Sequence, residues 1–475
     1  MYLMKYRIPK EYFLYLPRHM MYWLVKNNFT FIMALFYMIF IIKRKRSKIK
    51  SITKDAERIT ILALNPQNFR GDLECLAEVG KFRVLTFANM WQTSLLKAFT
   101  NRKIRLLEYI NAKEGSDIYD KKRKIDIFFD EFISALLKLI KIDCVITVSY
   151  RYVEDFFWVK HFEKKGIPNI CLYRDGVRYF DRTHDGVMAF HRRHKGCPVS
   201  HVIVINQMCA NVFWKSGFVT EAQVSVCGAL RMDNLLRMIN VSNNTPPPIK
   251  KNEVRRKRVI LFYFPYTHYL FGQEELSINS KLSDNAHKYN YVLGIWPKRM
   301  DLFRDLHTSF IRLAMKYPEV DFVIKPKAED MMEIANNNFG FDLSRIRNYT
   351  IEPDADVHDL IINSDVVISL QSTTAVEAAI AGRTVIFPLF YDYKETKNFN
   401  DFLWRNHLDL FDVAENADEL KSLVVERLRN PEIDEIIMEG RRKLFKECFS
   451  DNEGVALKKY VETIGNVVNS AKSRN

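Results

Sequence analysis

Residues Asp356 to Pro388 read DVHDLIINSDVVISLQSTTAVEAAIAGRTVIFP. Their apolar positions change period along the way. Asp356–Asn363 has helical spacing, Val366–Leu370 is an unbroken apolar run rich in β-branched residues, Thr373–Ala381 is helical again, and Thr384–Pro388 is a second apolar run. Two short apolar runs joined through a helix predict a βαβ unit of a parallel sheet covered on both faces. Ser372 stands at the strand-to-helix junction, where its side chain suits an N-cap and the helix offers free amides and the positive end of its dipole. With Thr373 and Thr374 this predicts a phosphate cradle that needs no glycine loop, ordinary capping being the other use of the same residues. Glu377, one turn in, reads either as an acceptor for a ribose hydroxyl or as part of a solvated helix face.

The same alternation extends outward in both directions. Strands are expected at Ile59–Leu64, Phe82–Phe87, Ile142–Val148, Asn169–Tyr173, Val202–Ile205 and Gln223–Cys227, with helices such as Ile125–Ile140 and Tyr152–Lys165 between them. Val241–Arg258, VSNNTPPPIKKNEVRRKR, fits no packed element and reads as a linker. Beyond it strands are expected at Val259–Phe264, Asp321–Ile324 and Tyr349–Ile351, with a helix at Asp301–Lys316. At 475 residues the chain exceeds what one core sustains. The expected organisation is a membrane anchor and basic flank (1–50), an N-terminal Rossmann-like acceptor domain (59–240), a linker (241–258), a C-terminal Rossmann-like nucleotide-donor domain (259–430) and C-terminal helices (431–475). Two such α/β domains facing a cleft form the glycosyltransferase B architecture, with ligands at the carboxyl ends of the strands.

The net charge of +15 is unevenly spread. Met1–Arg58 carries 13 Lys and Arg against three acids, leaving only +5 on the rest of the chain. A nucleic-acid binder carries its charge on the fold, so this distribution points to a membrane surface instead. Phe29–Ile42, FTFIMALFYMIFII, is uncharged, and Met21–Val25 lengthens the apolar stretch to 22 residues with one Lys. KRKRSKIK, Lys43–Lys50, follows, on the wrong side for a signal peptide. An anchor is expected, either spanning or lying in the membrane plane, with everything after it held on the cytoplasmic side; a buried core helix is the other reading, against which the adjacent basic cluster argues. Seven cysteines without a Cys-x-x-Cys pair suit a reducing compartment.

Val357–Pro388 resembles the nucleotide-binding segment of bacterial surface-polysaccharide transferases: the polysialyltransferases, the capsular Kdo transferases and the CDP-glycerol glycerophosphotransferases. Phe322–Lys327, FVIKPK, is similar to their strand ending in Lys-Pro-His-Pro, with Lys327 where the nucleotide-contacting His stands. Lys325 or Lys327 then supplies a point charge, or both are merely solvated. Arg174-Asp175-Gly176 resembles the Glu-Asp-Gly or Asp-Asp-Gly element whose acid is the general base, with Arg174 replacing the first acid. The resemblance makes Asp175 the base, and an Asp-Gly turn is the plainer use of the pair. Gly228–Leu235, GALRMDNL, is similar to the Gly-x-Pro-Arg-x-Asp-x-Leu element that closes the first domain, which points Arg231 at a donor phosphate or an interdomain salt bridge. His268, after Val259–Phe264, is a second base or phosphate ligand.

The expected activity is therefore transfer of a sugar unit, or a glycerophosphate-like unit, from a nucleotide-activated donor to a cell-surface glycan, such as capsule or lipopolysaccharide, or to a lipid-linked acceptor. The expected mechanism is inverting, with no metal and no other cofactor, because Asp354-Ala355-Asp356 precedes a helix that favours acids for other reasons. Location at the inner membrane, facing the cytoplasm, follows from the anchor. A nucleotide-sugar epimerase of the same architecture and a non-catalytic scaffold for polysaccharide assembly are the alternatives.

Overall fold

The computed structural model describes residues 19–45, 58–100, 104–177, 181–244, 255–263, 299–326, 339–370, 372–395, 399–400, 402–450 and 453–474. Two compact units divide the chain: residues 1–176, 185–231 and 455–475 form the first, residues 177–184 and 232–454 the second.

In the first unit the strands are β1 (Lys43–Arg44), β2 (Ile59–Ala63), β3 (Phe82–Thr86), β4 (Cys144–Thr147), β5 (Asn169–Leu172), β6 (His201–Val204) and β7 (Val224–Val226). They lie in the order β1-β3-β2-β4-β5-β6-β7, parallel except for β1, which pairs antiparallel with β3. Leaving β1 aside, this is a doubly wound sheet of 2-1-3-4-5-6 order, and its direction of winding reverses between β2 and β4. Period-two alternation assigns residues to opposite faces. Leu62, Leu64, Leu85 and Val145 enter one apolar cluster, while Ile61, Ala63, Val84, Cys144 and Ile146 enter the other.

The first cluster corrects the expectation that this segment lies apart from the first domain. Residues 19–26 are helical, a turn follows in which Asn28 takes a left-handed φ of 55°, and a second helix, Thr30–Phe36, continues as a π-turn over Tyr37–Ile41. Met21, Leu24, Val25, Met33, Ala34, Phe36, Tyr37 and Ile41 are buried, packed with Phe87, Phe132 and Trp158. The Tyr37 ring lies 5.2–5.8 Å from those three rings, and its hydroxyl donates to the Trp91 carbonyl at 3.2 Å. Among the described residues no helix is long and apolar enough to cross a membrane. The stretch is thus two short helices built into a core and then stitched to the sheet by β1, rather than a segment outside it. The cause is visible in the spacing: the buried positions recur at helical intervals within each piece, leaving an opposite face uncovered.

On the other face the last helix, Ala456–Lys472, buries Ala456, Tyr460, Ile464 and Val468, one stripe at four-residue spacing, beside Leu73 and Leu76. Two C-terminal helices expected as one tail after residue 431 therefore part company: Glu435–Phe449 belongs to the second unit and Ala456–Lys472 to the first.

The second unit holds β8 (Arg258–Tyr263), β9 (Asp321–Pro326), β10 (Tyr349–Ile351), β11 (Val366–Ser369), β12 (Thr384–Pro388) and β13 (Asp412–Ala414). All are parallel, in the order β10-β9-β8-β11-β12-β13. In sequence terms this is 3-2-1-4-5-6, the order of dinucleotide-binding sheets, with its switch point between β8 and β11.

Candidate functional site

Each sheet has one switch point; the predicted residues of the second unit fall beside it, whereas those of the first unit follow β5 and β7, to one side of it. In the second unit β11 ends at Ser369, beside the switch point, and Ser372–Thr374 opens the helix Thr374–Ile380. Ser372 is buried; its Oγ accepts from the Thr374 amide at 3.2 Å and from the Thr374 hydroxyl at 2.7 Å. Its carbonyl accepts from the indole N–H of fully buried Trp404 at 3.2 Å, which holds the turn from behind.

Glu377 is not on a solvated face. It is 3% exposed; one oxygen accepts from the Thr373 hydroxyl at 3.2 Å and the other lies 3.4 Å from His358 Nε2. His358 sits in the first turn of the helix Val357–Ile362, so Glu377 ties the openings of two helices together. The Thr-x-x-x-Glu spacing was the available signal for this bond, but nothing local pointed to His358 as its partner. Asp356 is spent on the same helix, accepting from the amides of His358 and Asp359 at 2.9 and 3.0 Å, as an acid before a helix should.

Lys325 lies in one register row with Phe262 and Ser369, two strands across from β11 and so about 10 Å away. Its ammonium donates to the Pro353 carbonyl. Partial burial lowers its pKa, opposed by the charges of Asp354 and Asp356. Lys327 and His268 lie outside the described residues.

In the first unit the loops after β2, β4 and β5 carry the polar groups. After β5, Gly176 takes φ 82°, a left-handed conformation that calls for glycine. The buried Cys209 thiol donates to the carbonyls of Asp175 and Gly176 at 3.3 and 3.1 Å and pins that turn. The Asp175 carboxylate remains 60% exposed and pairs with Arg151, which follows β4. Arg151 is itself oriented by a bond from Nε to Ser149 Oγ at 3.1 Å. Behind it Tyr150 shares a 2.5 Å hydrogen bond with Nδ1 of buried His191, whose pKa burial pushes down to about 3, leaving a neutral imidazole. Neither Arg151 nor Cys209 was foreseen, because both meet Asp175 only through the sheet.

Arg174 turns the other way. Its Nε lies 3.3 Å from Asp72, the first residue of the helix Asp72–Glu78, and Nη1 donates to the carbonyl of Asn68, in the 3-10 turn after β2, at 3.0 Å. Burial pushes Asp72 up to about 6, against the opposing charges of Arg174 and Arg231. Arg231 belongs to the first unit. The residue standing where the resemblance expects an acid thus serves as a tie between two site loops.

Asp155 lies deeper, at the β2/β4 switch point. It accepts from Asn65 at 2.6 Å and Gln92 at 2.5 Å on one oxygen, and its other oxygen has no hydrogen-bond partner among the described residues. Burial pushes its pKa up to about 7, only partly offset by those two donors. Between about pH 4 and 7 the folded protein therefore holds a proton that the unfolded chain has released, so this group's stability contribution falls as pH rises through that window. Asp155→Asn imitates the protonated acid. It should remove much of the decline and be the more stable form above about pH 7, by on the order of a few kcal/mol. Melting temperatures measured across that range test it; parallel curves for variant and wild type would mean the acid is ionised in its pocket.

No protein-family model matches the chain, and no curated protein matches it. Among solved structures it is similar to UDP-GlcNAc 2-epimerase from Neisseria meningitidis bound to UDP-GlcNAc, with TM-score 0.46 and 15% identity over 86% of this chain and 100% of that one. It is also similar to S. aureus MnaA with UDP, at TM-score 0.46 and 13% identity over 86% and 97%. A third similarity is to the wall teichoic acid polymerase TagF soaked with CDPG, at TM-score 0.44 and 13% identity over 88% and 91%. Likeness at this level carries no argument about substrate or reaction. The architecture stands on the strand orders.

Proposed function

We propose that the chain is a glycosyltransferase, or a glycerophosphotransferase-like enzyme, that moves a unit from a nucleotide-activated donor onto a cell-surface glycan or lipid-linked acceptor. The observation that carries the reading is the position of Ser372-Thr373-Thr374. A hydroxyl-rich turn opens a helix at the carboxyl end of β11, beside the switch point of a 3-2-1-4-5-6 sheet, with Lys325 in the same register row. That place in such a sheet offers amides, hydroxyls and a cation to a phosphate. On the first unit, exposed Asp175 at the carboxyl end of β5 is the carboxylate suited to take the acceptor's proton, and the donor phosphate leaves with its negative charge met at the cradle. Lys327 and His268 remain in the proposal as further donor-side and proton-transfer groups.

A thermal-shift panel of CMP, CDP, UDP and GDP on the full chain tests this, since a ligand at about 100 times its Kd adds roughly 2.7 kcal/mol to the unit that holds it. In the Ser372→Ala/Thr373→Ala variant that stabilisation should vanish, while the unliganded protein loses roughly 2–4 kcal/mol, the worth of a cap and two side-chain bonds. An undiminished shift would reduce the turn to a structural cap. Product analysis then separates the two enzymatic readings: transfer yields a nucleotide and a lengthened acceptor, whereas an epimerase converts the nucleotide-sugar without any acceptor.

A further inference from the structure

The two helices of residues 19–41 bury one side in the first unit, and the other side is apolar as well. Met20, Tyr22, Trp23, Phe29, Phe31, Ile32, Leu35, Ile39 and Phe40 are 36–66% exposed, nine of the fifteen exposed large hydrophobic side chains described, within 21 residues of sequence. The rings of Trp23 and Phe29 meet at 5.2 Å across the turn and join the outward faces of the two pieces. Side chains of this size leave on the order of 1,000 Å² uncovered, against roughly 300–600 Å² for the largest patch of an ordinary soluble monomer. Exposed Lys43 and Arg44 follow at once and begin the run KRKRSKIK.

We propose that this face docks, in the plane of the membrane, on a bilayer containing anionic lipid. Tyr and Trp suit the headgroup level, and a basic run beside an apolar helical face adds attraction to anionic headgroups. Charge favours the bilayer over a second copy of the chain, because the residues that follow this face in sequence are basic and like charge opposes its own copy. Residues 19–45 contain no acid of their own; from elsewhere in the unit Glu74 pairs with Lys45 and Glu131 accepts from Asn28 and Thr30. Met33, Tyr37 and Ile41 fix the helices from behind, so the face is presented already formed, and the lipid need not order it. The inference is independent of the enzymatic reading, and holds or fails without a donor nucleotide.

The test is flotation of the purified full chain with vesicles of phosphatidylcholine alone or mixed with phosphatidylglycerol. Wild type should float with the mixed vesicles, weakly or not at all with phosphatidylcholine, and less as salt rises. Trp23→Ser/Phe31→Ser/Phe40→Ser should lower the partition coefficient on the order of 100-fold with little change in melting temperature, because all three rings face outward. Phe40→Ser alone, at the most exposed of these positions, gives a smaller drop in the same direction should the triple variant fold poorly. Equal flotation with both vesicle types, flotation unchanged by the variants, or a vesicle-free dimer that the triple variant dissociates without losing flotation would each overturn the proposal.

Discussion

A chain beginning at Lys43 should fail to fold its first unit. The deletion removes seven large buried side chains, Met21, Leu24, Val25, Met33, Phe36, Tyr37 and Ile41, and uncovers Phe87, Phe132 and Trp158. At roughly 1.5–3 kcal/mol for each buried side chain the loss is on the order of 10–20 kcal/mol. That exceeds the roughly 5–15 kcal/mol by which domains are usually stable. The second unit has its own sheet and does not draw on these residues, so the truncated protein should keep one thermal transition and lose another, bind a hydrophobic dye and aggregate. Tyr37→Ala makes the same point more gently, costing about 3–5 kcal/mol for a fully buried ring. A soluble chain of residues 43–475 with both transitions intact would show the two helices to be dispensable.

This segment also marks where sequence reading stopped. FTFIMALFYMIFII is apolar on every side, with one side packed against the core and the other exposed, and a hydropathy run has no way to tell that from a span. The helix break at Asn27-Asn28 was the available clue. Strands were easier: β2, β4, β11 and β12 are covered on both faces, so their runs are continuous and their limits came within one or two residues. β13, three residues with Asp412 at its start, is too short and too polar to leave a pattern. Among site residues, the Ser372–Thr374 turn was legible because capping chemistry is local. The partners of Asp175, Glu377 and Arg174 come from other strands and helices, and pairings across a sheet leave no periodic trace in one sequence.

Asp175→Asn should lower turnover by about 100- to 10,000-fold, the loss expected for a positioned base, with donor affinity unchanged. The fold should tolerate it. The side chain is 60% exposed, and what pins the turn is the Cys209 thiol bonding to backbone carbonyls, which the substitution leaves alone. An amide keeps the size of the carboxylate but loses its charge, and with it the ion pair to Arg151. For that reason Arg151→Gln is the necessary companion. If the pair merely orders the loop, both variants should lose rate alike and share a pH profile. If Asp175 takes the proton, only its own variant should abolish the acidic limb of kcat/KM against pH, while Arg151→Gln should keep it. The assay is transfer from the nucleotide that stabilises the protein onto a glycan or lipid-linked acceptor. Near wild-type rates in Asp175→Asn alongside a dead His268→Ala would move the base to His268.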